Sequence, residues 1–509
     1  MATVSSPRAA PAARPRSVPA GLRRALPGLV CVVGVAALFA LVFRPDALNY
    51  DARYCLLWAR DVLQGLRPDY TGAFAPTPHP LQTAVAFLAL AFGGAADDVM
   101  TGLILLSFGG LVWAAYLLGA QLATPAVGVV AGLVVLTRVN FERYAMFGYQ
   151  DLTFAMLVVL AVWLEVRRPR RGAPVLALLA LAGLVRPDAW LLAGLYLLWA
   201  WRAATPRGRA LHLALVLAAP LLWAAQDWLV TGDPLHSLHG TSGLAAETNR
   251  VRDPERVPIF LASYLRYMLR EPLVLGLPVG LVFAWRHVRR PALVPLAVAV
   301  VLLGWAVLQA LGGLPFVMRY TLTPAALLAV LYALGTFGWQ LLPEGTARRR
   351  WQTAGLVSLA LSVAFLPWHL RHFAVLERHM DVNSTLLTDL REVGEAPAVR
   401  ERFAACGTIS SIGHRPVPHL RFWLDGPPGS VRTVEGVDRR VGPLVLKPRD
   451  ARGVWRFYRT QFSRVAPPPG YRQVFANRSW RVWAAPGCGG GVLPAAPGGA
   501  GVRDDSQDA

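Results

Sequence analysis

Residues 152–209 read LTFAMLVVLAVWLEVRRPRRGAPVLALLALAGLVRPDAWLLAGLYLLWAWRAATPRGR, and in this stretch apolar runs alternate with basic loops. Two arginine-rich segments, Arg167–Arg171 and Arg202–Arg209, enclose two apolar runs that meet at the turn Arg186-Pro187-Asp188. The runs carry almost no charge, as helices that cross a bilayer require. Arginine concentrated in short connecting loops is typical of the cytoplasmic side of a membrane protein. The stretch therefore predicts a pair of membrane helices joined on the outer side.

The composition of the whole chain agrees with this interpretation. The 509 residues are 55% hydrophobic and only 16% charged, whereas about a quarter of the residues of a soluble protein are charged. The 51 basic and 30 acidic residues give a formal charge of +21, which in a soluble protein would indicate nucleic-acid binding. Here much of the arginine lies between apolar runs, where the positive-inside rule explains it. The composition excludes a soluble single-domain enzyme and a nucleic-acid binder, and predicts a polytopic protein of the lipid bilayer.

Twelve apolar runs extend the pattern along the chain. They cover 26–43, 80–94, 100–121, 123–137, 152–166, 173–187, 189–201, 210–230, 272–286, 292–312, 319–342 and 352–367. Two further basic loops, Arg286–Arg290 and Arg348–Arg350, separate the later runs. If the N-terminus and all four loops are cytoplasmic, one of the five runs before Arg167 does not cross. Leu81–Ala95 is the best candidate, because its roughly 15 residues lie between prolines and a Gly-Gly pair and fit a re-entrant or interfacial helix, which leaves about 11 spans.

The two ends of the chain differ from its apolar middle. Residues 1–25 are rich in Pro, Ala and Arg and predict a disordered, basic cytoplasmic tail. A signal peptide also begins with a basic stretch and an apolar run, but no convincing cleavage site is present, which favours an uncleaved first span. After residue 368 the chain is more charged, with short alternating segments such as Trp455–Tyr458 and Ser479–Trp483.

These patterns define the predicted fold class and domains. We predict an all-α polytopic membrane protein, with about 11 transmembrane helices plus interfacial helices over 26–368. A small extracytoplasmic α/β or α+β domain follows over 369–490, and a disordered tail over 491–509. The expected location is the plasma membrane, with the N-terminus inside. Cys406 and Cys488 are the two cysteines of the outer domain, where an extracytoplasmic compartment permits a disulfide.

The unusual polar residues gather on the predicted outer side. The connection 44–80 contains Asp51 at the start of an amphipathic helix, where an acid is either a plain N-cap or a base at the rim of a cavity. A second connection, Arg138–Asp151, begins with an arginine and ends in an acid. Arg186 and Arg319 lie in short outer turns. Charges that border spans are functional candidates because their burial is costly, and this set describes a site for a phosphate-bearing substrate with a nearby base.

The order of these elements resembles the GT-C superfamily of integral-membrane glycosyltransferases, which use polyprenyl-phosphate sugars. The stretches DARYCLLWARDVLQG and TPHPLQ, residues 51–65 and 77–82, resemble the first outer loop of its arabinofuranosyltransferase and mannosyltransferase branch. LVRPDAW (184–190) resembles that branch's Arg-Pro turn, and TGDPLHSLHGT (231–241) its Gly-Asp-x-Leu-Pro loop. The resemblance covers residues 26–345, and it rests on the order and sidedness of the motifs.

The resemblance implies a reaction and a set of roles. A sugar would move from a polyprenyl-phosphate donor to a glycan, lipid or protein acceptor on the outer face, by an inverting single displacement. Asp51 would be the general base, with Asp151 as a supporting acid. The remaining roles are donor-phosphate binding by Arg186, Arg319 and Arg138, and substrate binding by His79, His236 and Tyr320. A divalent cation (Mg, Mn or Ca) held by Asp51, Asp151 and His79 stays open.

The sequence departs from the family pattern at two places, and two other functions compete with the glycosyltransferase interpretation. The family pattern often has two adjacent acids where this chain has Tyr50-Asp51, and Gln150 precedes the second acid, which weakens the case for a metal. A transporter or lipid flippase would be marked by an internal repeat or paired broken spans, and no convincing repeat is present. A membrane-anchored sensor or assembly protein predicts few polar residues in the membrane part, which the outer connections contradict.

Overall fold

The computed structural model of the protein describes residues 20–43, 45, 48–247, 254–435, 439–450, 452–454 and 465–494. The predicted segment Trp455–Tyr458 and most of the two predicted tails lie outside the described residues.

Helices make up most of the described chain. They are α1 Ala20–Phe43, α2 Tyr50–Leu63, α3 Pro80–Leu90, α4 Ala96–Leu122, α5 Pro125–Thr137, α6 Val139–Met146, α7 Asp151–Arg167, α8 Ala173–Gly183, α9 Asp188–Ala200, α10 Pro206–Thr231, α11 His236–Glu247, α12 Val257–His287, α13 Arg289–Leu311, α14 Leu322–Phe337, α15 Thr346–Ala364, α16 Leu366–Glu395, α17 Pro397–Cys406 and α18 Val417–Trp423. The strands are β1 Ile409–Ser411, β2 Val431–Thr433, β3 Arg440–Val441, β4 Leu444–Pro448, β5 Arg472–Ala476, β6 Trp480–Ala484 and β7 Gly491–Val492.

The predicted class, a polytopic helical protein with a small C-terminal sheet region, is confirmed. Each of the twelve apolar runs of the sequence coincides with a helix. Within the described residues, six helices are long and apolar enough to cross a membrane, or up to eight if each of two bent pairs is one span. Helices α3 and α8 are apolar but have only 11 residues each, so the count of about 11 spans stays a prediction.

Helix α14 forms the centre of the membrane part. Every residue of α14 except Phe337 is buried, and the helix packs against α12, α5 and α13. Small residues allow this close approach: a Cβ atom on Gly280 of α12 would lie 2.0 Å from the carbonyl oxygen of Leu331. Close backbone contact through small residues is how membrane helices associate when lipid is as apolar as their own side chains. This rigid centre supports the turn that contains Arg319.

From α16 (Leu366–Glu395) onward, the described residues form a mixed α/β unit, called the C-terminal unit below. Its five-stranded sheet has the order β2-β1-β4-β6-β5; β1 is parallel to β2 and β4, and β6 is antiparallel to β4 and β5. Buried apolar side chains such as Leu390, Val445 and Trp480 form its core. The sulfur atoms of Cys406 and Cys488 are joined in a disulfide bond, the pairing named from the sequence.

Candidate active site

Asp51 lies in the first turn of α2 without acting as its cap. The N-cap is Asn49, whose side-chain oxygen accepts a hydrogen bond of 2.7 Å from the backbone N–H of Ala52. The N-cap alternative for Asp51 is therefore wrong. Instead, Oδ2 of Asp51 accepts a hydrogen bond of 2.9 Å from Nη1 of Arg319, and the Asp51 side chain is 16% exposed. A partly exposed carboxylate held by a guanidinium can receive a proton from a substrate.

Asp151 forms the second acidic position and begins α7. It is buried, and Nη1 of Arg186 donates a hydrogen bond to it. Nε of Arg186 donates at 2.8 Å to Asp188, and the guanidinium lies 4.2 Å from the ring centroid of Tyr320. Arg186 thus joins two carboxylates and an aromatic face, which holds its fork in one orientation.

Arg319 differs from Arg186 in having a donor to spare. It lies in the turn Met318–Thr321 before α14, and within the described part of the chain its buried Nε has no hydrogen-bond partner. A buried donor left without a partner costs free energy. An anionic oxygen placed beside Arg319 would satisfy it, and guanidinium donors match phosphate oxygens in geometry.

A small pocket brings these groups together. Its lining residues are Asp151, Phe154, Arg186, Asp188, Leu302, Ala306, Arg319, Tyr320 and Thr323. Asp51 lies beside the pocket through its hydrogen bond to Arg319. The polar side of the pocket therefore holds two arginines and two carboxylates, and its other wall is apolar. Such a site presents guanidinium donors to an anionic group on one side and apolar side chains on the other.

His79 borders the same cluster of charges. Its Nδ1 lies 2.8 Å from the carbonyl oxygen of Val185, the residue before Arg186. Burial lowers the pKa of His79, and the nearby carboxylate of Asp51 opposes that change. A neutral ring that donates from Nδ1 to a carbonyl keeps Nε2 as an acceptor. His79 can therefore accept a hydrogen bond from a substrate hydroxyl.

Two residues predicted from the sequence lie elsewhere. Arg138 ends α5, with Glu142 and Arg270 as its charged neighbours, and it does not line the pocket. His236 begins α11, and its Nε2 lies 3.2 Å from the carbonyl oxygen of Tyr70. The sequence grouped both residues with the others because all of them are predicted on the same side of the membrane, which does not determine their contacts; Arg138 lies where α5 and α6 meet with a bend of 58°.

Asp188 lines the pocket but was not singled out as a site residue from the sequence. The signal was present in the Arg-Pro-Asp turn, because Asp188 follows Arg186 by two residues and a carboxylate at that distance can fold back onto the guanidinium. Phe154 and Thr323, in the first turns of α7 and α14, carry no comparable signal because apolar and small residues are common in every span.

The described residues do not bring a metal-ligand set together. No group of three His, Cys, Asp or Glu side chains lies close enough in the described ranges to hold an ion. Asp51 and Asp151 are each engaged by a different arginine, whereas a divalent cation needs several converging oxygen ligands. Asp51, Asp151 and His79 are therefore not arranged as a ligand set for a divalent cation.

Comparisons with known proteins identify the fold. No family model matches the chain, and no curated protein matches it in sequence. ArnT from Cupriavidus metallidurans bound to undecaprenyl phosphate is similar in structure, with a TM-score of 0.57 at 14% identity over 91% of this chain and 98% of that one. Its apo form gives 0.51 at 13% identity over the same shares of the two chains. The oligosaccharyltransferase AglB from Archaeoglobus fulgidus, with a TM-score of 0.45 at 13% identity over 80% of this chain and 65% of that one, is too distant to support an argument. The chain therefore has the fold of ArnT, which agrees with the polytopic helical fold that the resemblance in sequence implied.

Proposed function

We propose that this protein is a membrane glycosyltransferase that moves a sugar from a polyprenyl-phosphate donor to a hydroxyl acceptor on the outer face of the plasma membrane. The observation that carries the proposal is the contact between Asp51 and Arg319, which places a carboxylate next to a guanidinium with an unused donor. The fold shared with ArnT, a protein crystallised with undecaprenyl phosphate, supports the choice of donor.

The proposed reaction is a single displacement at the anomeric carbon. The acceptor hydroxyl gives its proton to Asp51 as its oxygen bonds to the anomeric carbon. The bond from that carbon to the phosphate oxygen breaks, and the electron pair stays on the phosphate. Arg319 and Arg186 stabilise the charge that develops there. Asp51 thus takes the proton of the acceptor hydroxyl, and the two arginines stabilise the phosphate that leaves.

The other polar residues organise this step. Asp151 and Asp188 hold Arg186 through its two sides, and His79 and Tyr320 face sugar or phosphate oxygens. The acceptor is a glycan, a lipid or a protein with a free hydroxyl.

The proposal is tested with purified protein in vesicles and a panel of polyprenyl-phosphate sugars. A glycosyltransferase releases polyprenyl phosphate and forms a glycosidic bond with an added acceptor. A transporter or flippase would instead move the intact donor between leaflets. Movement of intact donors without sugar transfer, in a panel that includes pentosyl and hexosyl donors, would reject the proposal.

The proposed orientation places the C-terminal unit and the pocket outside the cell. We expect a membrane-impermeant maleimide to label Arg391→Cys on α16 in intact cells and to leave Arg349→Cys unlabelled until the membrane is permeabilised. Arg391 is exposed on α16 and Arg349 is exposed in the first turn of α15, so a difference in labelling would report the side of the membrane and not burial. The reverse labelling pattern would contradict the orientation and place Asp51 in the cytoplasm.

A further inference from the structure

Helix α2 contains Asp51 in its first turn, and its last turn is bonded to the C-terminal unit. Asp61 is fully buried, and its Oδ1 accepts a hydrogen bond of 2.5 Å from Nη2 of Arg421 on α18. Nε of Arg421 donates to the carbonyl oxygens of Gly426 and Pro427, both at 3.2 Å. Burial raises the pKa of Asp61, and the charge of Arg421 opposes that rise. Removal of either partner would leave a buried charge uncompensated.

The neighbouring arginine of α2 strengthens this junction. Arg60 donates to the carbonyl oxygens of Phe422 at 3.1 Å and Gly426 at 3.0 Å, and to the carboxylate of Asp425 at 2.9 Å. Backbone acceptors and a carboxylate from one short segment thus surround a single guanidinium. The end of α2 is therefore tied to residues 422–426 by several directed contacts rather than by apolar packing alone.

The middle of α2 is held between the membrane part and α18. Arg53 is 1% exposed, and its two Nη atoms donate to the carboxylate of Asp97 at 2.7 and 2.6 Å. Its guanidinium also lies 4.6 Å from the ring centroid of Phe422 and 5.5 Å from that of Trp423. Phe422 and Trp423 belong to the helix that contains Arg421, so α18 contacts α2 along its length.

A further contact from the C-terminal unit reaches the start of α2. The ring of His414 is stacked on Phe74, with centroids 4.8 Å apart and planes at 9°, and meets the edge of Tyr50 at 5.4 Å. Tyr50, the residue before Asp51, donates from its hydroxyl to the carbonyl oxygen of Phe74 at 2.8 Å. Both ends of α2 therefore touch the same folded unit.

These contacts bear on the placement of the proposed base. An isolated helix of 14 residues is marginal in water, and a catalytic group must be held within about 0.5 Å of its working position. We propose that the C-terminal unit positions Asp51 against Arg319 by clamping α2, with Arg421 as the positioning residue. The inference rests on the proposed role of Asp51, but the clamp itself can be measured without turnover.

The test uses the full-length protein and three variants. Arg421→Met leaves the Asp61 carboxylate buried without its partner, whereas Asp61→Leu combined with Arg421→Met removes both charges and retains apolar volume. Arg391→Ala is the matched control, because this arginine of the same unit forms an exposed pair with Glu395. Hydrogen exchange of the backbone amides in the peptide 50–63 measures how often α2 opens locally. The α3 peptide 80–90 is the internal reference.

We expect Arg421→Met to speed exchange over residues 50–63 by about tenfold or more, since the helix would open locally. The same variant should lower kcat by about 10²-fold, the cost of a misplaced catalytic group, with little change in the donor KM. The double variant should recover both quantities, and the control should change neither.

A loss of kcat with normal protection of α2, or unchanged exchange and turnover in Arg421→Met, would overturn the clamp. Faster exchange with a normal kcat would show that the clamp exists but that Asp51 is not the base it positions, which overturns the inference. If no donor is turned over by the wild type, the exchange data still decide whether Arg421 holds α2.

Discussion

Asp51→Asn is expected to lower the turnover of a polyprenyl-phosphate sugar by about 10²–10⁴-fold, the usual contribution of a positioned general base. Asparagine has nearly the same shape as aspartate but cannot accept the acceptor's proton. The helix start should survive, because Asn49 and not Asp51 caps α2. Donor binding should persist, since the guanidinium of Arg319 remains. The measurement is steady-state release of polyprenyl phosphate, with the donor KM recorded in parallel.

A matched control for this change is Asp381→Asn on α16. Asp381 is exposed and does not line the pocket, so its loss of charge should leave turnover at the level of the wild type. If the Asp51 variant is folded, binds donor and turns over as the wild type does, the base is another residue. In that case the contact with Arg319 is structural.

Arg319→Ala is expected to weaken donor binding by about 10–100-fold, because it removes charge-assisted hydrogen bonds worth roughly 1.5–3 kcal/mol. The variant also leaves Asp51 without the partner that the structure gives it. We therefore expect a fall in kcat in addition to a rise in the donor dissociation constant. Arg319→Lys should recover part of the affinity, since it keeps the charge but loses the planar fork.

Binding of a non-transferable polyprenyl-phosphate analogue measures the first of these effects directly. Arg349→Ala in the first turn of α15 is the control, because it removes an exposed arginine that does not line the pocket. Equal affinity of the Arg319 variant and the wild type for the analogue would place the phosphate elsewhere, and Arg319 would then act only on Asp51.

The sequence predicts the membrane helices well because their signal is local. Length and hydrophobicity decide whether a run can be a membrane helix, and runs such as 210–230 and 292–312 correspond to α10 and α13. The short helices α8 and α9 were also located, because the turn at Arg186 interrupts an otherwise apolar stretch. The sequence of an apolar run does not show whether a helix of 11 or 13 residues crosses the membrane by itself.

The site was predictable only in part, because the side of the membrane on which a residue lies does not say which residues it contacts. Asp51 and Arg319 are 268 positions apart in the chain, and only the tertiary fold brings the first turn of α2 to the turn before α14. Arg138 is predicted on the same side of the membrane as Asp51 and Arg319, yet its charged neighbours are Glu142 and Arg270. The bond from Arg421 to Asp61 spans 360 positions and has no sequence signal, since arginine is abundant throughout the chain.

The configuration of the anomeric carbon in the product tests the central claim most directly. A single displacement, with Asp51 as base and phosphate as leaving group, inverts that carbon, because the acceptor must attack from the face opposite the phosphate. The account therefore predicts a product whose anomeric configuration is opposite to that of the donor, as read by NMR of the newly formed linkage, and one polyprenyl phosphate released for each linkage. A product that retains the donor's configuration would require a covalent intermediate on the protein and would contradict the role of Asp51.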